Sequence, residues 1–381
     1  MKLAVSAEQA ELRDSVRRFL ADRAPISRVR ELMETADGTD RAVWLQAGTQ
    51  LGLQGIAIPE EYGGAGFGFA EQAIVLEELG AALYGGPYLA SAVLAATALL
   101  SGSDEAARRD LLPGIASGQT VATLAFTEDD GSWDPEAIRL AAAPGGRDGA
   151  GGRDGGNRWV LSGHKSFVLD GCTADLILVV ADGATGLSLF AVEAGAPGLR
   201  RRALAALDQT RKLARLEFDA VPARLVGAPG EAAGVLARTL DVAAIALAAE
   251  QLGGAQRVLD MAVGYAKARH QFGRPIGSFQ AIKHRCADLL LEVETLRSAV
   301  GYAAAAVAED SAEMPAVAAL AQAYASDVYF HAAAENIQIH GGIGFTWEHD
   351  AHLYFKRAKA SELFLGDANY HRERLAQRIG L

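Results

Sequence analysis

The chain has 381 residues, half of them hydrophobic, which is more than one core usually organises and predicts two or three packed domains. Acidic residues outnumber basic ones, 47 to 36, which argues against general affinity for nucleic acid or an anionic membrane and favours a small molecule or a protein as partner. Cys172 and Cys286 are too few for a disulfide framework. The N-terminus carries no export signal and no uninterrupted apolar run reaches about 18 residues, so a cytoplasmic protein without a membrane span is expected.

Residues 6 to about 112 read as helices. Ser6 and Gln9 have the spacing of a capping box, and Leu12, Val16 and Phe19 continue one apolar face. Pro59-Glu60-Glu61-Tyr62-Gly63-Gly64 interrupts with a turn, Glu71 to Leu79 restarts a helix, and Pro113-Gly114 ends the block. From about 119 to 227, short apolar runs alternate with Gly, Asp and Pro: Val121 to Phe126, Trp159 to Leu161, Leu176 to Val180, Leu187 to Val192 and Leu213 to Phe218. That texture predicts an antiparallel β domain. The stretch from Ala143 to Asn157 contains Gly-Gly-Arg-Asp-Gly twice and reads as a mobile loop with no chemical role.

After Pro229 the pattern is helical again. Phe279, Ile282, Cys286, Leu289, Val293, Leu296 and Val300 form one apolar stripe, with His284, Asp288, Glu294, Thr295 and Ser298 turned away and Leu291 as an apolar exception. Alanine-rich runs at 301–307 and 316–325 let neighbouring helices approach closely. The fold class is therefore α+β and multidomain: a helical N-terminal domain at 1–117, a central antiparallel β domain at 118–228 and a helical C-terminal domain at 229–381.

Four strings carry chemistry. Tyr265 to Gln280 predicts a helix end, a glycine turn and a proline that opens the next helix. Lys267, Arg269 and His270 could simply complement a helix dipole, but the Phe272-Gly273 and Phe279-Gln280 pairs go beyond that role. Gln338-Ile339-His340-Gly341-Gly342 supplies an amide side chain and bare backbone where a flat or anionic ligand could come close. Thr127-Glu128 to Gly131-Ser132 follows a strand, and Ser162 to Gly171 is a second strand containing Phe167.

These strings resemble the acyl-CoA dehydrogenase family, whose signature contains the Arg-x-x-Phe-Gly segment followed by Phe-Gln. The resemblance covers nearly the whole chain, including Pro59 to Gly64 and Val221-Pro222. It implies a helical N-terminal domain, a central β-barrel and a C-terminal four-helix bundle. It also implies FAD bound across a subunit boundary, with Arg269 on the pyrophosphate, Gln280 and Gln338 holding the nucleotide, and Phe272, Gly341 and Gly342 in the same segments. Thr127 and Ser132 fall in the flavin loop, and Phe167 on the strand that packs against the flavin ring. The implied reaction is α,β-dehydrogenation of an acyl-CoA thioester, with a carboxylate taking the α-proton and hydride passing to the flavin. The implied partners are acyl-CoA, an electron-transfer flavoprotein or similar acceptor, and further subunits in a homo- or hetero-oligomer, dimer or tetramer. Trp347 to Arg357 resembles a bacterial branch that includes the smaller subunits of two-chain dehydrogenases acting on dicarboxylyl-CoA or sterol side-chain CoA thioesters.

The departures from the family are specific. Asp129 to Trp133 replaces its proline-glycine-alanine-glycine stretch, and Leu169 stands where a threonine commonly lies near the flavin. The family's catalytic glutamate falls on Leu365, and the alternative glutamate of some members falls on Ala243. Glu250 and Asp367 are nearby acids that match no catalytic position, so the base stays unassigned. His349 and His352 with their acidic neighbours lack a third ligand placed by another motif; no metal is expected, and Asp350 reads as a helix cap. Two other functions fit: a catalytically silent subunit completing a partner's FAD site, and a flavin monooxygenase or nitroalkane oxidase relative.

Overall fold

The structure, a computed structural model, describes residues 6–145 and 158–381. The glycine-rich repeat therefore lies outside the described residues except for Gly145. In chain order the elements are α1 (Ala7–Arg23), α2 (Ile26–Met33), α3 (Arg41–Leu51), α4 (Phe69–Ala81), α5 (Ala96–Ser101) and α6 (Glu105–Ala116). Then come β1 (Ala122–Ala125), β2 (Ala141–Pro144), β3 (Arg158–Leu169), β4 (Leu176–Gly183), β5 (Gly186–Glu193), β6 (Leu199–Leu204) and β7 (Leu213–Val226). The chain ends with α7 (Ala232–Ala268), the short strands β8 (His270–Gln271) and β9 (Arg274–Pro275), α8 (Gln280–Ala308), α9 (Met314–His340), α10 (Ala351–Leu363) and α11 (Ala368–Arg378). They form two compact units, one of Met1–Glu31, Gly68–Tyr84 and Ala244–Leu381, the other of Leu32–Phe67 and Gly85–Ala243.

In the first unit the capping box forms as expected, with Ser6 and Gln9 satisfying each other's amides. Arg13 and Arg17 tie α1 to Glu77 and Glu78 of α4, and Arg297 of α8 reaches the same Glu77. The helices meet closely where side chains vanish: a Cβ on Gly253 would lie 1.7 Å from the Glu77 carbonyl oxygen, and one on Gly80 1.9 Å from that of Glu250. The α8 stripe is real, with Leu289, Val293, Leu296 and Val300 buried, while Leu291 stays exposed. Helices α8, α10 and α11 all pack against α9.

Helix α7 contains a stretch apolar enough to cross a membrane by composition, but 78% of that stretch is buried within the protein. Packing accounts for its hydrophobicity.

In the second unit five strands close into a ring, β4-β2-β3-β7-β5 and back to β4, with β1 beside β4 and β6 beside β7. The ring corrects the wholly antiparallel expectation, because β1 and β2 both run parallel to β4. Parallel neighbours need a long crossover, and the residues between β1 and β4 provide it. The strands β2 and β6 join the five that the sequence announces. Helix α6 does not end at Pro113 but continues to Ala116, since the proline sits in the last turns and Ser117 bonds back to its carbonyl (3.1 Å). Residues Leu89–Ala95 wind as a π-helix, a rarer element that no periodicity announced.

Candidate functional site

The first unit gathers the Arg269 and Gln338 strings around one small apolar cluster. Ala262, Ala266 and Ile339 are buried there, with Tyr265, Ile276, Ile282 and Cys286 packed against them. The Tyr265 and His340 rings stack with centroids 4.2 Å apart. Burial holds the His340 imidazole below its ordinary pKa, so the ring is neutral near pH 7.

Beyond Ala268 the chain makes a two-strand hairpin whose turn residues Phe272 and Gly273 both have positive φ, 53° and 77°. That is the geometry of a tight hairpin turn, which glycine eases at the second position. Phe272 is consequently thrust out, 90% exposed, touching the edge of Phe279. Pro275 opens a single 3-10 turn rather than the next helix, and α8 begins at Gln280.

Arg269 is exposed and has no ion-pair partner among the described residues. Gln280, Gln338, Gly341 and Gly342 are exposed too. At Gly341 and Gly342 an added Cβ would meet nothing within 4 Å, whereas at Gly344 it would lie 2.8 Å from the His340 Cβ. Packing within the chain thus explains Gly344 but not the preceding pair. An unpaired guanidinium, open glycine backbone and an exposed aromatic fit the diphosphate and flat rings of a dinucleotide.

The second unit brings Thr127, Ser132 and Phe167 together. Thr127 donates its hydroxyl to the Ser166 carbonyl (2.6 Å), and its own carbonyl accepts the Ser166 amide (3.0 Å). Phe167 follows in a β-bulge with φ of 58°, and a Cβ on Gly131, beside Ser132, would lie 3.7 Å from its ring. The departed loop adds Asp129, a charge that would repel a phosphate. It is compensated locally: Ser166 Oγ (2.5 Å) and Arg215 donate to it, and His164 Nε2 lies at 2.9 Å. These hydrogen bonds hold its carboxyl below the usual range, Ser166 first. Leu169 is buried, and its carbonyl accepts the Thr123 hydroxyl (2.6 Å).

Behind this surface lies a feature the motifs did not single out. Lys165 is fully buried, with its ammonium 2.8 Å from Glu128 Oε1 and 3.1 Å from the Phe126 carbonyl. Desolvation pulls the lysine down to about 8, against the opposing pull of Glu128. The signal was available in the sequence, because Leu161, Gly163 and Lys165 share one parity along β3 and Leu161 faces the core.

Leu365, expected from the resemblance to match the family's glutamate, has a side chain that accepts no proton. Leu365 is 4% exposed, in the connection between α10 and α11, with φ of 65°. Its carbonyl accepts His371 Nε2 (3.0 Å). Burial first, then the nearby Arg374, push His371 down to about 4. Ala243 is fully buried within α7. Glu250 is held by Arg357 at 2.9 Å, and Asp367 caps α11 through the Tyr370 amide (2.8 Å). Both acids already have structural partners.

The histidine-rich string is also structural. Asp350 does not cap α10 with its side chain; Arg30 takes it at 2.9 Å, and His349 Nδ1 accepts the Ala351 amide instead (3.1 Å). His352 stacks on Trp347, with centroids 4.8 Å apart.

Comparison with known proteins identifies the family. Family models described as the N-terminal, middle and C-terminal domains of acyl-CoA dehydrogenase match residues 6–119, 123–221 and 233–380. The acyl-CoA dehydrogenase IpdE2 of Mycobacterium tuberculosis is 37% identical over 94% of this chain and 93% of its own. Among solved structures, a chain of the ChsE4–ChsE5 complex from Mycobacterium tuberculosis superposes with a TM-score of 0.88 at 31% identity, covering 100% of this chain and 99% of that one. A variant of the Tcur3481–Tcur3483 steroid ACAD gives 0.86 at 34%, covering 99% and 98%. The chain belongs to the acyl-CoA dehydrogenase family of FAD-dependent oxidoreductases.

Proposed function

We propose that the chain is the FAD-holding subunit of a mixed acyl-CoA dehydrogenase whose larger partner supplies the carboxylate that takes the α-proton. The reading rests on Leu365, on which the sequence resemblance sets the family's glutamate: it is buried in the left-handed region and its side chain accepts no proton. Its similarity to chains solved as two-component assemblies supports the reading. The proposed division into residues 1–117, 118–228 and 229–381 belongs to it as well.

In this reading Arg269 pairs with the diphosphate, and Gln280 and Gln338 hold the nucleotide. Gly341 and Gly342 allow close approach, and Phe272 shields the same segment. Thr127, Ser132 and Phe167 form the surface against which the flavin rests. When bound, FAD supplies the hydride acceptor for the β-hydrogen. The chain's own residues bind and orient; none takes the α-proton. The substrate is an acyl-CoA thioester, and the steroid ACAD likeness favours a bulky, ring-derived acyl group. Electrons leave to an electron-transfer flavoprotein or similar acceptor in the cytoplasm.

The test is to express the chain alone and with candidate larger subunits, then add acyl-CoA without oxygen. Fast flavin bleaching only in the mixed assembly, abolished by removing the partner's glutamate, is the expected result. Fast single-turnover bleaching by this chain alone refutes the proposal. FAD binding by no form of the chain favours the silent subunit, and rapid oxygen uptake with substrate favours the monooxygenase-like relative.

A further inference from the structure

The Lys165–Glu128 pair is costly where it sits. Removing an ammonium and a carboxylate from water often exceeds their attraction, and an apolar pair of similar volume commonly serves stability as well or better. Such a pair is therefore better explained by what it positions.

Its connections are unusually informative. Glu128 Oε1, which receives Lys165, also accepts the amides of Arg139 (2.9 Å) and Leu140 (2.8 Å). Lys165 donates in addition to the Phe126 carbonyl. One charged pair therefore ties together the chain leaving β1, the segment entering β2 and the middle of β3. Thr127 lies between the two residues held by the ammonium. Ser166 and Phe167, next to the lysine, form the bulge to which Thr127 is bonded through hydroxyl and carbonyl. The left-handed Phe167 is a conformation that bulky residues adopt only when their surroundings impose it.

We propose that Lys165 is a positioning residue for the flavin: through Glu128 and the Phe126 carbonyl it fixes Thr127 and the Phe167 bulge, and with them the surface against which the flavin rests. This inference rests on the flavin placement proposed above. The ammonium is fully buried and acts from behind the surface.

The test compares the FAD-loaded protein, in the assembly that binds FAD, with two variants. Lys165→Met/Glu128→Gln removes both charges while keeping volume and an acceptor for the two amides; Glu128→Gln alone is the second. Three properties are measured: FAD dissociation constant, resolution of the flavin visible absorption bands, and midpoint potential. The expected result is a folded double variant that binds FAD about tenfold more weakly, with blurred bands and a shifted potential. Arg269→Ala serves as reference, expected to weaken affinity while leaving band shape and potential unchanged.

A folded double variant with parental affinity, spectrum and potential overturns the proposal and makes the pair a packing feature only. If the double variant does not fold, the same comparison on Glu128→Gln decides. Failure of both to fold makes the pair a folding determinant and likewise overturns it. Absence of FAD from the parent assembly would instead refute the flavin placement itself, which keeps the two failures distinguishable.

Discussion

Leu365→Glu tests the missing base most directly. The backbone there is already left-handed, with φ of 65°, a conformation that disfavours any residue with a Cβ by roughly 1–2 kcal/mol. Leucine and glutamate bear that cost alike, so exchange adds little backbone strain, and the His371 bond to the residue 365 carbonyl survives because it involves only main chain. The gain is chemical. A positioned general base contributes about 10² to 10⁴ in rate, equivalent to roughly 3–5 kcal/mol of barrier. The side chain replaced is 4% exposed, so burial raises the new carboxyl's pKa. Since only the carboxylate accepts a proton, the rescued rate should climb with pH through that raised value. The assay is stopped-flow bleaching of the flavin by acyl-CoA without oxygen, with Leu365→Gln as a control of equal size lacking a basic group. A glutamate variant that retains FAD yet reacts no faster than the glutamine control would refute the placement of residue 365 beside the substrate.

Arg269→Ala should weaken FAD retention by about 1.5–3 kcal/mol, the range of a charge-assisted hydrogen bond, measured by titration or ultrafiltration. Glu250→Ala, which removes the carboxylate paired with buried Arg357, should cost about 3–5 kcal/mol in urea unfolding, while Glu250→Leu/Arg357→Met should recover much of the loss. His371 supplies a pH window. Its native value of about 4 lies below the ordinary 6.5, so between those values the unfolded chain binds more protons and stability falls as pH falls. From pH 7 to 5 the loss should be about 2 kcal/mol, measured by urea unfolding, and His371→Gln should flatten it.

What could be read beforehand was what repeats or sits in one continuous string. The α8 stripe declared itself because three- and four-residue spacings leave only one face to bury. In the Arg269 string the helix end and the glycine turn were legible because both are local, whereas the strand pairing around the turn and the 3-10 turn after Pro275 were not. By contrast, β2 is Ala141-Ala142-Ala143-Pro144, with little strand propensity, and is paired to β3 only by the sheet around it. Strand β6, Leu199-Arg200-Arg201-Arg202-Ala203-Leu204, lacks the apolar run that marks the other strands. At the site, the compensation of Asp129 by Arg215 and His164 joins residues far apart in sequence, and no local pattern encodes it. Lys165 was hidden differently: its inward parity was visible, but a lysine is normally read as solvated.

The arginines of β6 have a consequence for the protein in a crowded cell. A closed ring leaves no unpaired strand, but β6 lies outside it, hydrogen-bonded to β7 alone among the described residues. Its other margin pairs with no strand among the described residues, and such an edge is a template on which a foreign strand could dock and start a fibril. Three consecutive guanidinium groups make each incoming copy repel its predecessor. The same residues that hid β6 as a strand make it a poor seed.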